Sequence, residues 1–215
     1  IEYGGFFGES KIDILDHIPD QYKPQSRFIQ SMEDKPAVLN DVLSMNLGFP
    51  LVLKPNVGER GGDVEIIRDQ ARLEAYLEGH NAPLIVQEYV ESDFEFGVLY
   101  HRYPGQEKGA ISSIVMKEFM DVTGDGSKTV RDLLCCNPRA LFQLSRWEKE
   151  NGKLLDQVPE VGEAVRVESI GNHCLGTKFL DGNHYIGPAL TEAFDRVVKD
   201  FDGFCYGRFD LKASS

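Results

Sequence analysis

Cysteine is scarce in this 215-residue chain: only Cys135, Cys136, Cys174 and Cys205, with no Cys-x-x-Cys pair among them. Such spacing argues against a zinc site and against a disulfide framework, so the default setting is reduced and cytoplasmic. Positive charge is also short, with 23 Lys and Arg against 35 Asp and Glu and a net charge of −12. A duplex partner needs a basic face, so no nucleic-acid partner is expected. A nucleotide stays open, because a few local cations hold a triphosphate and acidic residues can hold a metal that offsets phosphate charge. No apolar run approaches the roughly 20 residues that span a bilayer, so no membrane partner is expected either. No signal-peptide pattern opens the chain, and its first residue is Ile1 rather than Met, which reads as a fragment of a longer protein. Internal repeats and low-complexity tracts are missing.

What is present centres on one stretch, Gly48-Phe49-Pro50-Leu51-Val52-Leu53-Lys54-Pro55-Asn56-Val57-Gly58-Glu59-Arg60-Gly61-Gly62. A short apolar strand, Leu51 to Leu53, delivers Lys54 and is followed by a loop rich in glycine and charge. Strand residues alternate faces, so Lys54 can leave the core side and point into a cleft. Glycines let a backbone approach a ligand and turn its N–H groups toward an anion. The pairing suggests phosphate binding, although the spacing is neither Walker A nor Gly-x-Gly-x-x-Gly. A β-hairpin turn with Lys54 guarding a sheet edge fits these residues as well.

Along the rest of the chain, residues 1 to 31 read as irregular, with Gly4, Gly5 and Gly8 among aromatics and with Pro19 and Pro24 as punctuation. Glu33 to Leu47 reads as a helix, with Val38, Val42 and Leu43 on one face and Gly48 as its stop. Val64 to Ile67 reads as a return strand, and Asp69 to Glu78 as a helix capped by Asp69. Strands follow at Ala82 to Val90, Phe94 to Tyr100 and Ala110 to Phe119. Thr123 to Val130 reads as a turn into a helix over 129–136, with Thr129 as its cap. Another helix runs from Pro138 to about Asn151, a strand from Val165 to Ile170, and an amphipathic helix from Pro188 to Phe201. Phe204 to Leu211 is the last strand. Strands come in runs broken by helices, which predicts an α+β fold with mixed or antiparallel sheets.

Four features fall in a fixed order: the Lys54 strand with its glycine loop, the strand ending Gln87-Glu88-Tyr89-Val90, Glu95 in an alternating strand, and Gly207-Arg208-Phe209-Asp210. Over about residues 33 to 211 this ordered set resembles the ATP-grasp superfamily of carboxylate–amine ligases, especially the branch containing D-alanine–D-alanine ligase. The resemblance implies two α+β lobes clasping ATP, with 33–91 as the small lobe, 92–215 as the large lobe and 1–32 as a remnant of a preceding lobe. It implies that Lys54 and Lys117 hold phosphates and that Gly58, Glu59, Arg60, Gly61 and Gly62 form the lid. Glu88, Tyr89 and Val90 would read the adenine, and Glu95 would accept from the ribose. Asp210 would bind Mg²⁺ and Arg208 would stabilise the oxyanion of acyl transfer. By strand alternation Arg208 and Asp210 share a face while Phe209 points into the core; an ordinary edge ion pair is the other reading of those two charges.

The Gly124-Asp125-Gly126-Ser127-Lys128-Thr129-Val130 run is also similar to a segment of cyanophycin-synthetase-type ATP-grasp enzymes, but a tight turn capping the next helix is the preferred reading. Gly171-Asn172-His173-Cys174-Leu175-Gly176-Thr177 is set down as a lining of the acceptor side; His80, His101 and His184 carry no functional reading. One departure stands out: the family's Glu-x-Asn metal strand, which follows the Asp, does not occur before Ser215. The expected partners are ATP and small-molecule carboxylate and amine substrates, a homodimer being compatible. The expected activity is an ADP-forming ligase working through an acyl phosphate; a non-catalytic ATP-binding module and a small-molecule kinase of the same fold are the alternatives.

Overall fold

The structure is a computed structural model and describes residues 10–57, 64–169, 171 and 175–214. Two four-stranded antiparallel sheets, each covered by helices on one face, organise these residues. The first sheet has the order β1 (Ser26–Ile29), β4 (Leu84–Glu88), β2 (Leu51–Pro55), β3 (Glu65–Ile67). Helices α2 (Lys35–Ser44) and α3 (Gln70–Gly79) cover one side of it. Their register follows from alternation: Leu51, Leu53, Leu84 and Val86 point to Val38, Val42, Leu73, Tyr76 and Leu77 and form one apolar core. Leu43 does not join that core and is exposed, so the sequence expectation for it is corrected.

Both helices begin where a carboxylate satisfies free backbone N–H groups. Asp34 accepts from Ala37 N at 2.9 Å, and Asp69 from Arg72 N at 2.8 Å, as its sequence position predicts. The stop of α2 differs from expectation. Asn46, with φ of 53°, makes the left-handed reversal two residues before Gly48; asparagine tolerates that conformation better than most side chains.

The second sheet has the order β10 (Tyr206–Ala213), β5 (Phe94–His101), β6 (Ala110–Glu118), β9 (Lys178–Asp181). Its covered face meets α7 (Pro188–Val197) through Val98, Tyr100, Ile114, Phe194, Phe201 and Phe204, with Phe209 packed against them as alternation predicts. A third, smaller core closes over a two-stranded ribbon, β7 (Asp121–Thr123) with β8 (Ala164–Arg166), and α4 (Val130–Cys135), α5 (Pro138–Leu141) and α6 (Leu144–Leu155). Trp147 lies fully buried there and donates to the buried Glu168, which also pairs with Arg146. Thr129 caps α4 in a reciprocal capping box with Asp132.

Three sequence expectations are revised. Residues 1–31 are not irregular throughout, because α1 (Lys11–Asp16) forms behind a Ser10 cap and β1 is an edge strand of the first sheet. The helix expected from Pro138 to Asn151 is two helices, with Asn151 itself outside helical geometry at φ −138°. The strand expected at Val165–Ile170 is only the short β8. Helix α1 touches both halves: Lys11 N donates to Asn56 O at 3.0 Å beside the first sheet, while Ile14 and Ile18 pack on the second sheet's core.

Candidate functional site

The uncovered face of the second sheet carries a line of alternating charge. Register sets it up: Lys212 lies opposite Glu95, Asp210 opposite Gly97, and Glu95 opposite Lys117. Arg208 Nε stands 3.7 Å from Asp210 Oδ1, and Asp210 Oδ1 stands 3.5 Å from Lys117 Nζ. Lys117 Nζ is in turn 3.5 Å from Glu95 Oε2, and Glu95 Oε1 is 3.2 Å from Lys212 Nζ. Three cations thus bracket two carboxylates. The centre is dry, with Glu95 9% exposed and the Lys117 side chain 7%, whereas the Asp210 side chain at 52% still faces water.

Two glycines make room for this line. A Cβ on Gly97 would come 2.9 Å from Val115 Cγ2 and 3.4 Å from Asp210 Oδ1. Gly171 lies over the central pair, where a Cβ would sit 2.5 Å from Glu95 Oε2 and 2.8 Å from Lys117 Cδ. A bare backbone is therefore the only cover that fits on the Glu95–Lys117 contact at this point without displacement.

On the first sheet, Val52 pairs with Gln87 and Lys54 with Ile85, so Lys54 and Gln87 share the face turned away from α2 and α3. The Lys54 ammonium donates to Gln87 Oε1, a neutral acceptor. Burial, and secondarily the nearby Lys11 ammonium, pull the Lys54 pKa down to about 8. Lys11 itself donates to Pro55 O at 3.0 Å, so the end of β2 carries two cations. Such a site favours an arriving anion, which restores the charge balance of a desolvated ammonium.

The connector 89–93 joins β4 to β5 and so joins the two uncovered faces. Lys212 holds it: its ammonium donates to Val90 O at 2.9 Å and lies 4.9 Å from the centre of the Tyr89 ring. Arg166 is the other cation here, within electrostatic reach of Tyr89 and Glu95 and paired with Asp121 at 3.1 Å.

The structure therefore brings together Lys117, Glu95, Arg208 and Asp210, and it sets Tyr89 and Val90 beside them through Lys212. Lys54 stands on the other sheet with Gln87. Glu88 is turned elsewhere: it lies opposite the core residue Leu51, and its carboxylate accepts from Gln25 N at 3.1 Å. Gly58, Glu59, Arg60, Gly61 and Gly62 lie outside the described residues, as do Asn172, His173 and Cys174. Lys128 belongs to a surface turn in which Asp125 accepts from Ser127 N and Lys128 N. Lys212 and Arg166 escaped the sequence reading, and Gln87 entered it only as part of the strand's closing motif. Alternation from Asp210 would have placed Lys212 on the same face; the place of Gln87 follows only from the register of β2 with β4.

Residues 15–97, which run from α1 through the Lys54 strand and the connector into β5, match the family model described as RimK-like ATP-grasp domain. Two solved structures extend the likeness beyond that segment. D-alanine–D-alanine ligase from Bacillus anthracis superposes with a TM-score of 0.50 at 18% identity, covering 94% of this chain and 50% of that one. The fold is ATP-grasp. VanG D-Ala:D-Ser ligase from Enterococcus faecalis agrees, with a TM-score of 0.50, 14% identity and coverage of 94% and 46%. A curated relative, formate-dependent phosphoribosylglycinamide formyltransferase from Sulfolobus acidocaldarius, is 30% identical over 95 residues, which are 41% of this chain and 23% of that protein. The chain spans about half the length of these two solved ATP-grasp structures and under a quarter of the curated relative.

An ATP-grasp fold raises the question of a metal. Among the described residues no three His, Cys, Asp or Glu side chains cluster as a ready-made metal cage. Asp210 is a single half-exposed carboxylate beside two cations, which fits a Mg²⁺ shared with phosphate oxygens, the way Mg²⁺ is commonly held, rather than an all-protein site.

Proposed function

We propose that this chain supplies the nucleotide-binding machinery of an ATP-dependent ligase, which joins a carboxylate to an amine through an acyl phosphate and releases ADP and phosphate. The observation that carries the reading is the line Arg208–Asp210–Lys117–Glu95 on an uncovered sheet face of an ATP-grasp fold, linked by one connector to the sheet of Lys54. In it, 33–91 acts as the small lobe and 92–215 as the large lobe, with ATP between them.

Lys54 and Lys117 take the phosphates as point charges. Glu95 accepts from the ribose hydroxyls, and the Tyr89–Val90 backbone reads the base, with Gln87 in the place that sequence alone gave to Glu88. Asp210 would hold Mg²⁺ together with phosphate oxygens, and the ion supplies charge neutralisation to the transferring phosphoryl group when bound. Arg208, at the open end of the line, is placed to stabilise the negative charge that develops on the acyl oxygen when the amine attacks. The protein's share is position and electrostatics in a site from which water is excluded.

One observation favours a second reading, a nucleotide-binding module without turnover: Asp210 is the only half-exposed carboxylate in the line, and two cations already face it. ADP formation with candidate carboxylates and amines separates the two, since bound ATP without turnover supports the module. The reading common to both is tested by ATP affinity of Lys54→Ala. Loss of a charge-assisted phosphate contact is expected to weaken binding about tenfold or more; unchanged affinity overturns the assignment.

A further inference from the structure

We infer that Lys212 is a built-in competitor for the nucleoside: it occupies the ribose carboxylate and the connector carbonyl at the same time, and nucleotide binding has to draw its ammonium off Glu95. This rests on the reading of Glu95 as the ribose acceptor.

The geometry is that of a tripod. An ammonium has three N–H donors and no acceptor. One donor of Lys212 is spent on Val90 O at 2.9 Å, one faces Glu95 Oε1 at 3.2 Å, and the third side of the head lies against the Tyr89 ring at 4.9 Å. Cation–ring contacts of this kind are attractive within about 6 Å. The other oxygen of Glu95 already faces Lys117 at 3.5 Å. Each oxygen of this nearly buried carboxylate already faces an ammonium; lone pairs remain, but so little of the group is open that a pair of ribose hydroxyls must compete with an ammonium for access.

Lys212 is the one free to withdraw. Its side chain is 31% exposed against 7% for Lys117, and it sits opposite Glu95 near the end of β10. Lys117 is held between Glu95 and Asp210 beneath Gly171 and has no such freedom. On withdrawal, Lys212 keeps its donor to Val90 O, so the connector stays attached to the second sheet while the carboxylate changes partners. A ligand that must first displace an internal partner binds more weakly by the fraction of molecules in which that partner has left.

The test compares ADP with 2′,3′-dideoxy-ADP, both with Mg²⁺, by calorimetry on the unaltered chain and on two variants. Lys212→Met removes the ammonium and keeps the stem. Lys212→Gln removes the charge from Glu95 but retains a donor for Val90 O, which guards against loss of the connector's anchor. Both variants are expected to raise the preference for ADP over the dideoxy compound about two- to fivefold, the range of a partly exposed ion pair removed from competition, and Lys212→Gln, which keeps the connector's donor, is expected to do so through tighter ADP binding. Weaker ADP binding in both variants, or an equal shift for the two nucleotides, overturns the competitor role. If Glu95→Gln leaves the preference for ADP over its dideoxy analogue unchanged, it is the ribose reading of Glu95 that fails. If the unaltered chain binds neither nucleotide, the nucleotide site fails and the competitor role with it.

Discussion

Lys54 and Lys117 are the same residue type on uncovered faces of two different sheets, and their surroundings are opposite. Lys117 is enclosed by carboxylates, with Glu95 and Asp210 both at 3.5 Å, in a line whose charges alternate. Lys54 is half-buried against a neutral amide, with a second ammonium, Lys11, nearby. In the first arrangement the buried ammonium is matched by two carboxylates. The second is deficient in negative charge and gains most from an anion that arrives from outside. On the proposed reading this divides the work: the Lys54 sheet would take the phosphates, and the line on the second sheet would be the pattern against which they align. Ground-state cost is concentrated at Lys54, a desolvated cation whose recorded partner among the described residues is the neutral Gln87 amide.

Breaking the enclosed pair produces the largest effect on stability. Lys117→Met leaves Asp210 with Arg208 and the nearly buried Glu95 with Lys212 as its remaining ion-pair contact. Removing one partner of a buried pair strands charge in a dry place, and the expected loss is about 2 kcal/mol, tempered by the remaining Lys212 contact. Urea unfolding of the variant reads it. A midpoint unchanged from the unaltered chain would show that the line is wet and that the contrast between the two lysines is false.

The two sheets were not equally legible in the sequence. Alternation alone placed Arg208 with Asp210 and turned Phe209 into the core, because those residues lie two apart on one strand. The contacts of Glu95 with Lys117 and with Lys212 depend on pairing among β5, β6 and β10, a register between strands that no local pattern specifies. The same limit applies to Gln87 and Glu88. Which of Gln87 and Glu88 joins Lys54 depends on Leu51 lying opposite Glu88, and the strand's apolar run offers no period to choose between them. The short strands β7 and β9 were missed because three or four residues are too few to show an alternation. Helix caps were legible where a side chain closes a local ring, at Asp69 and Thr129. The reversal at Asn46 was not, since Gly48 next to it is the stronger local signal.

A change of pH sharpens the contrast, because it acts on Lys54 with opposite signs for stability and for binding. Its pKa is lowered from 10.5 to about 8 in the folded chain. Between those values the unfolded chain holds a proton that the folded chain has released, so Lys54's contribution to stability rises with pH across that window. Below about 8 both states are charged and the full penalty of burying the ammonium applies; above 10.5 neither is charged and the penalty is gone. Phosphate binding runs the other way, since only the charged form attracts the anion. ATP affinity is expected to fall about threefold or more from pH 7 to pH 9, and Lys54→Met is expected to flatten that fall. A pH profile that is identical in the variant would assign the titration to another group.

The smallest expected effect belongs to Lys128, in the Gly124–Val130 turn. It differs from both Lys54 and Lys117 in that its surroundings are water. Its backbone N–H, with that of Ser127, is taken by Asp125, whose carboxyl is held below its ordinary pKa first of all by those two donors. Its ammonium is 3.8 Å from the same carboxylate, with both side chains exposed. An exposed pair of this kind contributes about 0–1 kcal/mol, because solvent screens it and two long side chains must be ordered to form it. The backbone bonds that shape the turn survive substitution of the side chain, and the Thr129–Asp132 capping box that starts the next helix does not involve it. Lys128→Ala is therefore expected to leave the urea midpoint within error and ATP affinity within about twofold of the unaltered chain. A tenfold loss of ATP affinity in this variant would move the phosphate site off the two sheets and onto the turn before α4.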